Sequence, residues 1–296
     1  MSMPDVSVVI AAKNEHLHVL EAVTSVITQR GLRLELVFVD DGSTDETYTI
    51  VERIAAQHEN LRLVRNTESG KCSAFNYGVS LAQGRFVTIF AGDDIMPAGS
   101  LHTRYEAVKG ESESLPVVGL CKLEMLSDNP RENGQIVPKA PGVGVLSGVS
   151  YLFNRAALRH AFPVPEQFPN EDTFLELAVL HLGWKQIHSD VVGCRWRIHS
   201  GNSINLRTGF DEFNAKITKR MKVIWVFWER FSGQLSTEHA GIIKAKMKLE
   251  EARSSGSVVR VLSAPISLKD RLRALAYTNA FFYGIRQRLY GLLSGL

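Results

Sequence analysis

Two acidic doublets, Asp40-Asp41 and Asp93-Asp94, follow apolar runs rich in β-branched or aromatic residues, and a third acidic pair, Glu171-Asp172, opens a later helical pattern. The runs are Leu34 to Val39 and Phe86 to Phe90, both of strand length. In an open parallel sheet, a carboxylate at the carboxyl end of a strand lies in the crevice where ligands bind. Acids gathered there repel one another unless a cation or a donor-rich ligand neutralises them. The arrangement suggests a metal–nucleotide site.

Each group has a chemical and a plainly structural reading. A carboxylate in Asp40-Asp41-Gly42-Ser43 could accept a uracil imide N–H or a ribose hydroxyl, or cap the next helix as a turn acid. Asp93-Asp94 could hold a hard divalent ion, Mg²⁺ or Mn²⁺, against the phosphates of a nucleotide, or form a solvated turn before Pro97. Lys71 could reach a phosphate, but Arg65 stands where a P-loop needs glycine. Ala11 to Glu15 contains no glycine, so a dinucleotide fingerprint is absent too. Glu171-Asp172 suits a helix N-terminus by dipole alone; as a general base, one of its carboxylates must face the crevice. His199 could ligate a metal or donate to a phosphate, or simply sit beside a strand end.

The elements that must position these groups alternate. Val6 to Ile10 reads as a strand and Glu15 to Thr28 as a helix with Leu20, Val23 and Ile27 on one face. After Leu34 to Val39, Ser43 and Glu46 have capping-box spacing, which predicts a helix from about Thr44. A short strand at Leu61 to Val64, a helix over Ser73 to Gln83 and a strand at Arg85 to Phe90 complete a β-α-β-α-β-α-β rhythm. That rhythm predicts an α/β fold, a mostly parallel sheet covered by helices through right-handed crossovers. Ser127 to Gly148 is irregular and reads as a loop near the site; a helix from Glu171 to Leu182 and strands at Gln186 to Val192 and Cys194 to Ile198 follow. Beyond Asn205 the pattern is helical.

The formal net charge of +3 conceals an asymmetry. Residues 1–203 carry 18 Lys/Arg against 24 Asp/Glu, and residues 204–296 carry 16 against 7. Two regions are therefore expected: 1–203, acidic and catalytic, and 204–296, basic and helical. Basic tails meet nucleic acid, anionic membranes or acidic proteins, or are solvated helix faces. Three widely spaced cysteines form neither a disulfide framework nor a zinc motif. No charge-free run reaches membrane-span length, so a cytoplasmic protein, alternatively one attached to the inner face of the membrane, is expected.

Taken in order, these segments resemble the family 2 glycosyltransferases of the GT-A fold. The stretches that carry the resemblance are Val6 to Ile10 with Asn14-Glu15, Glu35 to Thr47, Gly70 to Gly78 with Asn76, Gly84 to Pro97, Glu171-Asp172, and His199 to Ser203. Together they span about two thirds of the chain. The resemblance implies a Rossmann-like sheet and an inverting enzyme of bacterial polysaccharide or glycolipid assembly. It would move a sugar from a nucleotide-diphosphate sugar, UDP favoured, to a hydroxyl of a saccharide or lipid-linked acceptor.

Carried over by position, Ala11, Asn14, Glu15, Asp40, Asp41, Lys71 and Asp93 line the donor, with Asp41 on the nucleobase. Asp93, Asp94 and His199 hold a divalent metal, Mn²⁺ or Mg²⁺; Asp172 is the general base; Glu171 and Gly148 lie on the acceptor side. Two departures stand out. Ala91 occupies the first acidic place of the usual Asp-x-Asp-Asp, and Ala11-Ala12-Lys13 replaces a common Pro-x-Tyr. Ala91 keeps open a degenerate protein that binds a nucleotide sugar or a partner without turnover. A nucleotidyltransferase is the other alternative, though it lacks its glycine-rich basic loop here.

In the basic region, Phe213 to Phe231 is too apolar for a free helix and is expected to pack on the catalytic domain. Leu268 to Leu293 reads as a basic amphipathic helix, suited to an anionic membrane or to packing and dimerisation. Peripheral membrane contact and a homodimer are thus both expected possibilities; nucleic acid is not an expected partner.

Overall fold

β1 (Val6–Ala12) is buried along its whole length. A strand covered on both faces needs a continuous apolar run, and Val6, Val8, Val9 and Ile10 supply it. Parallel neighbours flank it, β2 (Leu34–Asp40) on one side and β4 (Phe86–Ala91) on the other, with β3 (Leu61–Arg65) outside β2. Ala12 stands opposite Asp40, and Ala11 opposite both Val39 and Ala91. The carboxyl ends of three strands are therefore level, and the two acidic doublets leave the sheet on either side of β1. The computed structural model of the protein describes residues 3–198 and 208–293, which fall into two units, Met1–His199 and Ser200–Leu296.

Helices α1 (Val19–Ile27), α2 (Thr47–Ala55) and α3 (Lys71–Leu81) are the crossovers of this half. A Cβ on Gly78 would collide with the side chains of Val9 and Val39, so glycine lets α3 lie directly on the sheet. Lys71, its first residue, is thereby held at the carboxyl edge. Beyond β4 come α4 (Ser100–Val108), β5 (Val117–Ser127), the two-residue β6 (Ile136–Val137), β7 (Leu152–Asn154), α5 (Arg155–Ala161), α6 (Asp172–His181) and β8 (Lys185–Ile198). The sheet runs β3-β2-β1-β4-β7-β5-β6, with β8 also paired to β5. β7 is antiparallel to both β4 and β5, so the sheet is parallel in its first half and mixed in its second.

Local structure departs from the pattern-based reading at several points in this unit. α1 begins at Val19 rather than Glu15, because Asn14 has a left-handed φ of 58° and the residues after it are tied to the β2–α2 turn. No capping box forms: Ser43 Oγ accepts the Asn14 N–H, and α2 starts at Thr47. The two strands expected near Gln186 and Cys194 are one strand, irregular where its pairing with β5 shifts around Lys122. Part of the expected Ser127–Gly148 loop is ordered as the outer end of the sheet through β6.

The C-terminal unit comprises α7 (Phe210–Met221), α8 (Val223–Phe231), α9 (Thr237–Ser254), α10 (Val258–Leu262), α11 (Leu268–Leu275) and α12 (Ala280–Leu293). Each expected long helix is therefore two, the second pair separated by a turn before Ala280. Phe213 packs its ring on Tyr277 and Tyr283 within this unit, and Phe227 on Phe231. The buried Arg253 pairs with Glu250 and also binds Asn214, Thr218 and the Tyr277 carbonyl, so its charge is neutralised and its donors are used. Among the described residues no helix is long and apolar enough to cross a membrane.

Candidate active site

The rim begins where β1 ends. Asn14 donates its N–H to Ser43 Oγ (3.0 Å) and accepts the Thr44 N–H (2.8 Å). Glu15 N–H reaches Thr47 Oγ1, and Asp45 accepts from both the backbone and the ring of His16. Two turns from different strands are thus fastened together. Gly92 closes the ring: a Cβ there would lie 2.5 Å from that of Ala12 and 3.5 Å from Glu15 Cγ. Ala12 and Glu15 therefore border the turn that carries Asp93, and Ala11 pairs with Ala91 just before it.

The first doublet divides its roles. Asp41 accepts Asn66 Nδ2 (2.8 Å) and the Gly70 N–H (3.0 Å), so its carboxylate is fixed against the N-terminus of α3. Asp40 is more deeply buried, with Oδ2 accepting the Ser43 N–H. Neighbouring side chains on a strand point to opposite faces, which is why one acid lies behind the other.

Asp94, 2% exposed, accepts the Arg197 N–H (2.8 Å). Burial, then the charge of Asp93, pushes its carboxyl up to about 7. Arg197 grips the same turn through Nε to the Asp93 carbonyl (2.8 Å) and pairs with Glu21.

These two carboxylates form a hard oxygen set crowded by its own charge. That fits Mg²⁺ or Mn²⁺, which typically take one or two protein carboxylates and complete their shell with phosphates and water. Among the described residues, no group of three His, Cys, Asp or Glu side chains forms a metal cage. His199, expected as a further ligand, lies outside the described residues.

At the start of α6, Glu171 is buried and Lys71 Nζ lies 3.0 Å from its Oε1. Desolvation opposes the charge on Lys71, but Glu171 and Asp172 outweigh it and raise the ammonium pKa. Lys71, expected on a phosphate, is thus seated on the acidic pair; its charge is felt at Asp94 as well. Asp172 Oδ1 accepts the Gly148 N–H (2.8 Å). A Cβ on Gly148 would lie 2.7 Å from that same oxygen. Gly148 opens a short 3-10 turn, Gly148–Ser150, pinned beneath by the buried Arg104, whose Nη2 donates to the Ser150 carbonyl (2.9 Å).

Lys71 with Glu171, and Asp172 with Gly148, adjoin at the start of α6; Asp41 reaches them through the Gly70 N–H beside Lys71, and Asp94 is held separately by Arg197. Arg197 supports Asp94, Arg104 the Gly148 turn and Asn66 the Asp41 carboxylate, although no motif marks them in the sequence. Arg197 is about a hundred positions from the acids it holds, brought there by the antiparallel bridge of β8 at Arg195 with Ile95, which the sequence does not signal.

A parallel sheet with carboxylates gathered at its strand ends, continued by an antiparallel strand and a final acid-bearing helix, is the GT-A architecture. The chain belongs to glycosyl transferase family 2, whose family model matches residues 7–154, half of its length. Similar curated proteins include the glycosyltransferase GlyG of Streptococcus pneumoniae, 31% identical over 115 residues, which is 38% of each chain. Another is the GalNAc(5)-diNAcBac-PP-undecaprenol beta-1,3-glucosyltransferase of Campylobacter jejuni, 29% identical over 41% of this chain and 40% of that protein. The matches thus span about two fifths of these relatives.

Similar solved structures include S. aureus TarS 1-349 with UDP-GlcNAc, at TM-score 0.57 and 21% identity over 98% of this chain and 76% of that one. The mannosyltransferase PcManGT of Pyrobaculum calidifontis, with GDP-Man and Mn²⁺, gives TM-score 0.57 and 19% identity over 100% of this chain and 89% of that one.

Proposed function

We propose that the protein is an inverting glycosyltransferase that moves a sugar from a nucleotide-diphosphate sugar to a hydroxyl of a saccharide or lipid-linked acceptor. The observation that carries this reading is the seat of Asp172: a carboxylate fixed by one backbone N–H, beside a buried Glu171–Lys71 pair whose charge extends to Asp94. Asp172 takes the proton of the acceptor hydroxyl as that oxygen attacks the anomeric carbon. The bond from that carbon to the diphosphate breaks on the opposite face, and configuration inverts. Glu171 and Gly148 lie on the acceptor side of this event.

Ala11, Asn14, Glu15, Asp40, Asp41, Lys71 and Asp93 bind the donor. Asp41 holds the nucleobase, and the interlocked Asn14–His16 and Ser43–Thr47 turns shape the wall around it. Asp93 and Asp94, and His199 beyond the described residues, would hold a divalent cation, which when bound offsets the charge of the diphosphate. UDP-sugars are the favoured donors, the class bound by TarS; the GDP-Man of PcManGT makes guanosine donors the control arm. What favours turnover over a binding-only protein is that Ala91 leaves the Asp94 seat intact: the Arg197 N–H still holds the carboxylate.

The test is Asp172→Asn. It keeps the shape and should lower kcat by about two to four orders of magnitude with donor affinity unchanged. Wild-type turnover in this variant, or a product that retains the donor's anomeric configuration by NMR, rejects the proposal.

A further inference from the structure

The helices at the end of the C-terminal unit bury one side and leave the other strongly apolar in water. α10 and α11 contribute Val261 and Ala274 to a small core with Ala252 of α9. On their outer sides, Val259 (77% exposed), Leu262, Leu268 (62%) and Leu272 are left to solvent. On α12, Tyr283 is buried while Phe281 (70%), Ile285 and Leu289 recur every four residues along an exposed stripe. Seven large apolar side chains on three short helices exceed the scattered exposure usual for a soluble surface.

The charges among them share one sign. Residues 258–293 contain six Lys or Arg against Asp270 as the single acid. Arg260, Lys269, Arg273 and Arg288 are exposed. Asp270 accepts the Ser267 hydroxyl and belongs to the α11 cap. Along α11, Leu268 and Leu272 line one stripe and Lys269 and Arg273 the stripe beside it, so an apolar line is flanked by a cationic one.

We propose that α10, α11 and α12 form a docking surface for an anionic lipid bilayer. Apolar stripes flanked by basic side chains suit the headgroup boundary, where methylene groups enter the acyl region and cations meet phosphates. A second copy of the chain is a poorer occupant, because it would bring like charges together around the same apolar groups. No described helix can span the membrane, so the contact is peripheral.

The test is flotation of the full chain with vesicles of phosphatidylcholine, with and without about 30% phosphatidylglycerol, at about 0.1 M salt. Binding to the anionic vesicles alone is expected, falling steeply at about 0.5 M salt. The triple variant Phe281→Ser, Ile285→Ser, Leu289→Ser should lower partitioning at least about tenfold, and Arg260→Glu, Lys269→Glu, Arg273→Glu, Arg288→Glu about a hundredfold. Should the apolar variant melt early, the charge variant, confined to exposed side chains, decides.

No flotation, equal flotation with neutral vesicles, or unchanged partitioning of the folded charge variant overturns the proposal. So does a concentration-dependent dimer, lost in the apolar variant, without vesicle binding, since the face would then be a self-interface. Flotation is read without donor or acceptor, so its failure would leave the transferase reading untouched, and the reverse.

Discussion

Replacing Gly148 by alanine tests the acceptor side without adding or removing an ionisable group. The added Cβ would stand 2.7 Å from Asp172 Oδ1, 3.1 Å from Ile89 Cδ1 and 3.2 Å from Glu171 Oε1. An unstrained carbon–oxygen contact needs about 3.2 Å or more, so the Asp172 carboxylate must retreat by about 0.5 Å. Its 2.8 Å bond from the Gly148 N–H would stretch in the same movement. A misplacement of about 1 Å at a reacting group costs about a hundredfold in rate, so half of that predicts about tenfold. Loss of the hydrogen bond adds up to about another tenfold.

The expected result is a kcat reduced by about 10- to 100-fold, with donor KM and calorimetric nucleotide affinity within about twofold of wild type. A melting scan should show only a modest fall, since Ile89 can turn away at a cost of about 1–3 kcal/mol. Steady-state kinetics with a matched acceptor decides. A kcat equal to wild type, or a defect confined to donor KM, would refute the placement of Asp172 as the base oriented by Gly148.

Asp94→Asn should weaken nucleotide–Mn²⁺ binding at least about tenfold in calorimetry while metal-free nucleotide binding barely changes; equal losses in both would count against a metal carboxylate. Lys71→Met removes the charge that opposes the upward push of burial on Glu171, so Glu171 takes up a proton at higher pH and the acidic limb of kcat should move upward. An unmoved limb would place Lys71 on the donor alone. Burial tends to raise Asp45, but hydrogen bonds from Thr47, side chain and backbone, and from His16 outweigh it and leave its pKa lowered. A carboxylate depressed on folding stabilises the protein above its unfolded value, about pH 4, and that stability is lost as pH falls through the lower folded value. Asp45→Asn should therefore melt below wild type at neutral pH, with the difference shrinking as the pH is taken from about 4 toward 2; a pH-independent gap would assign the effect to packing.

The buried first half of the sheet was legible because Val6 to Ile10, Leu34 to Val39 and Phe86 to Phe90 are unbroken apolar runs, and acids after such runs stand out. Position along the strands could be read; partners across the fold could not. Nothing near Lys71 in the sequence marks Glu171, one hundred residues on, as its ion-pair partner. Ser43 and Glu46 have the spacing of a cap, but the Asn14 N–H occupies the serine hydroxyl. β5 escaped notice because its pattern contains Gly119, Lys122 and Glu124; Lys122 is nevertheless buried, its ammonium satisfied by Asp190 and the Ala140 carbonyl. In each case a tertiary hydrogen bond or ion pair overrode a local preference.

The fastening of Asn14, Glu15 and His16 to the Ser43–Thr47 turn has a thermodynamic consequence. Loops ordered only when a ligand arrives subtract their lost disorder from its affinity, whereas a border locked during folding does not. Substitutions that loosen that lock, such as Ser43→Ala, should therefore appear as a more unfavourable entropy of nucleotide association while the residues assigned to the donor are unchanged.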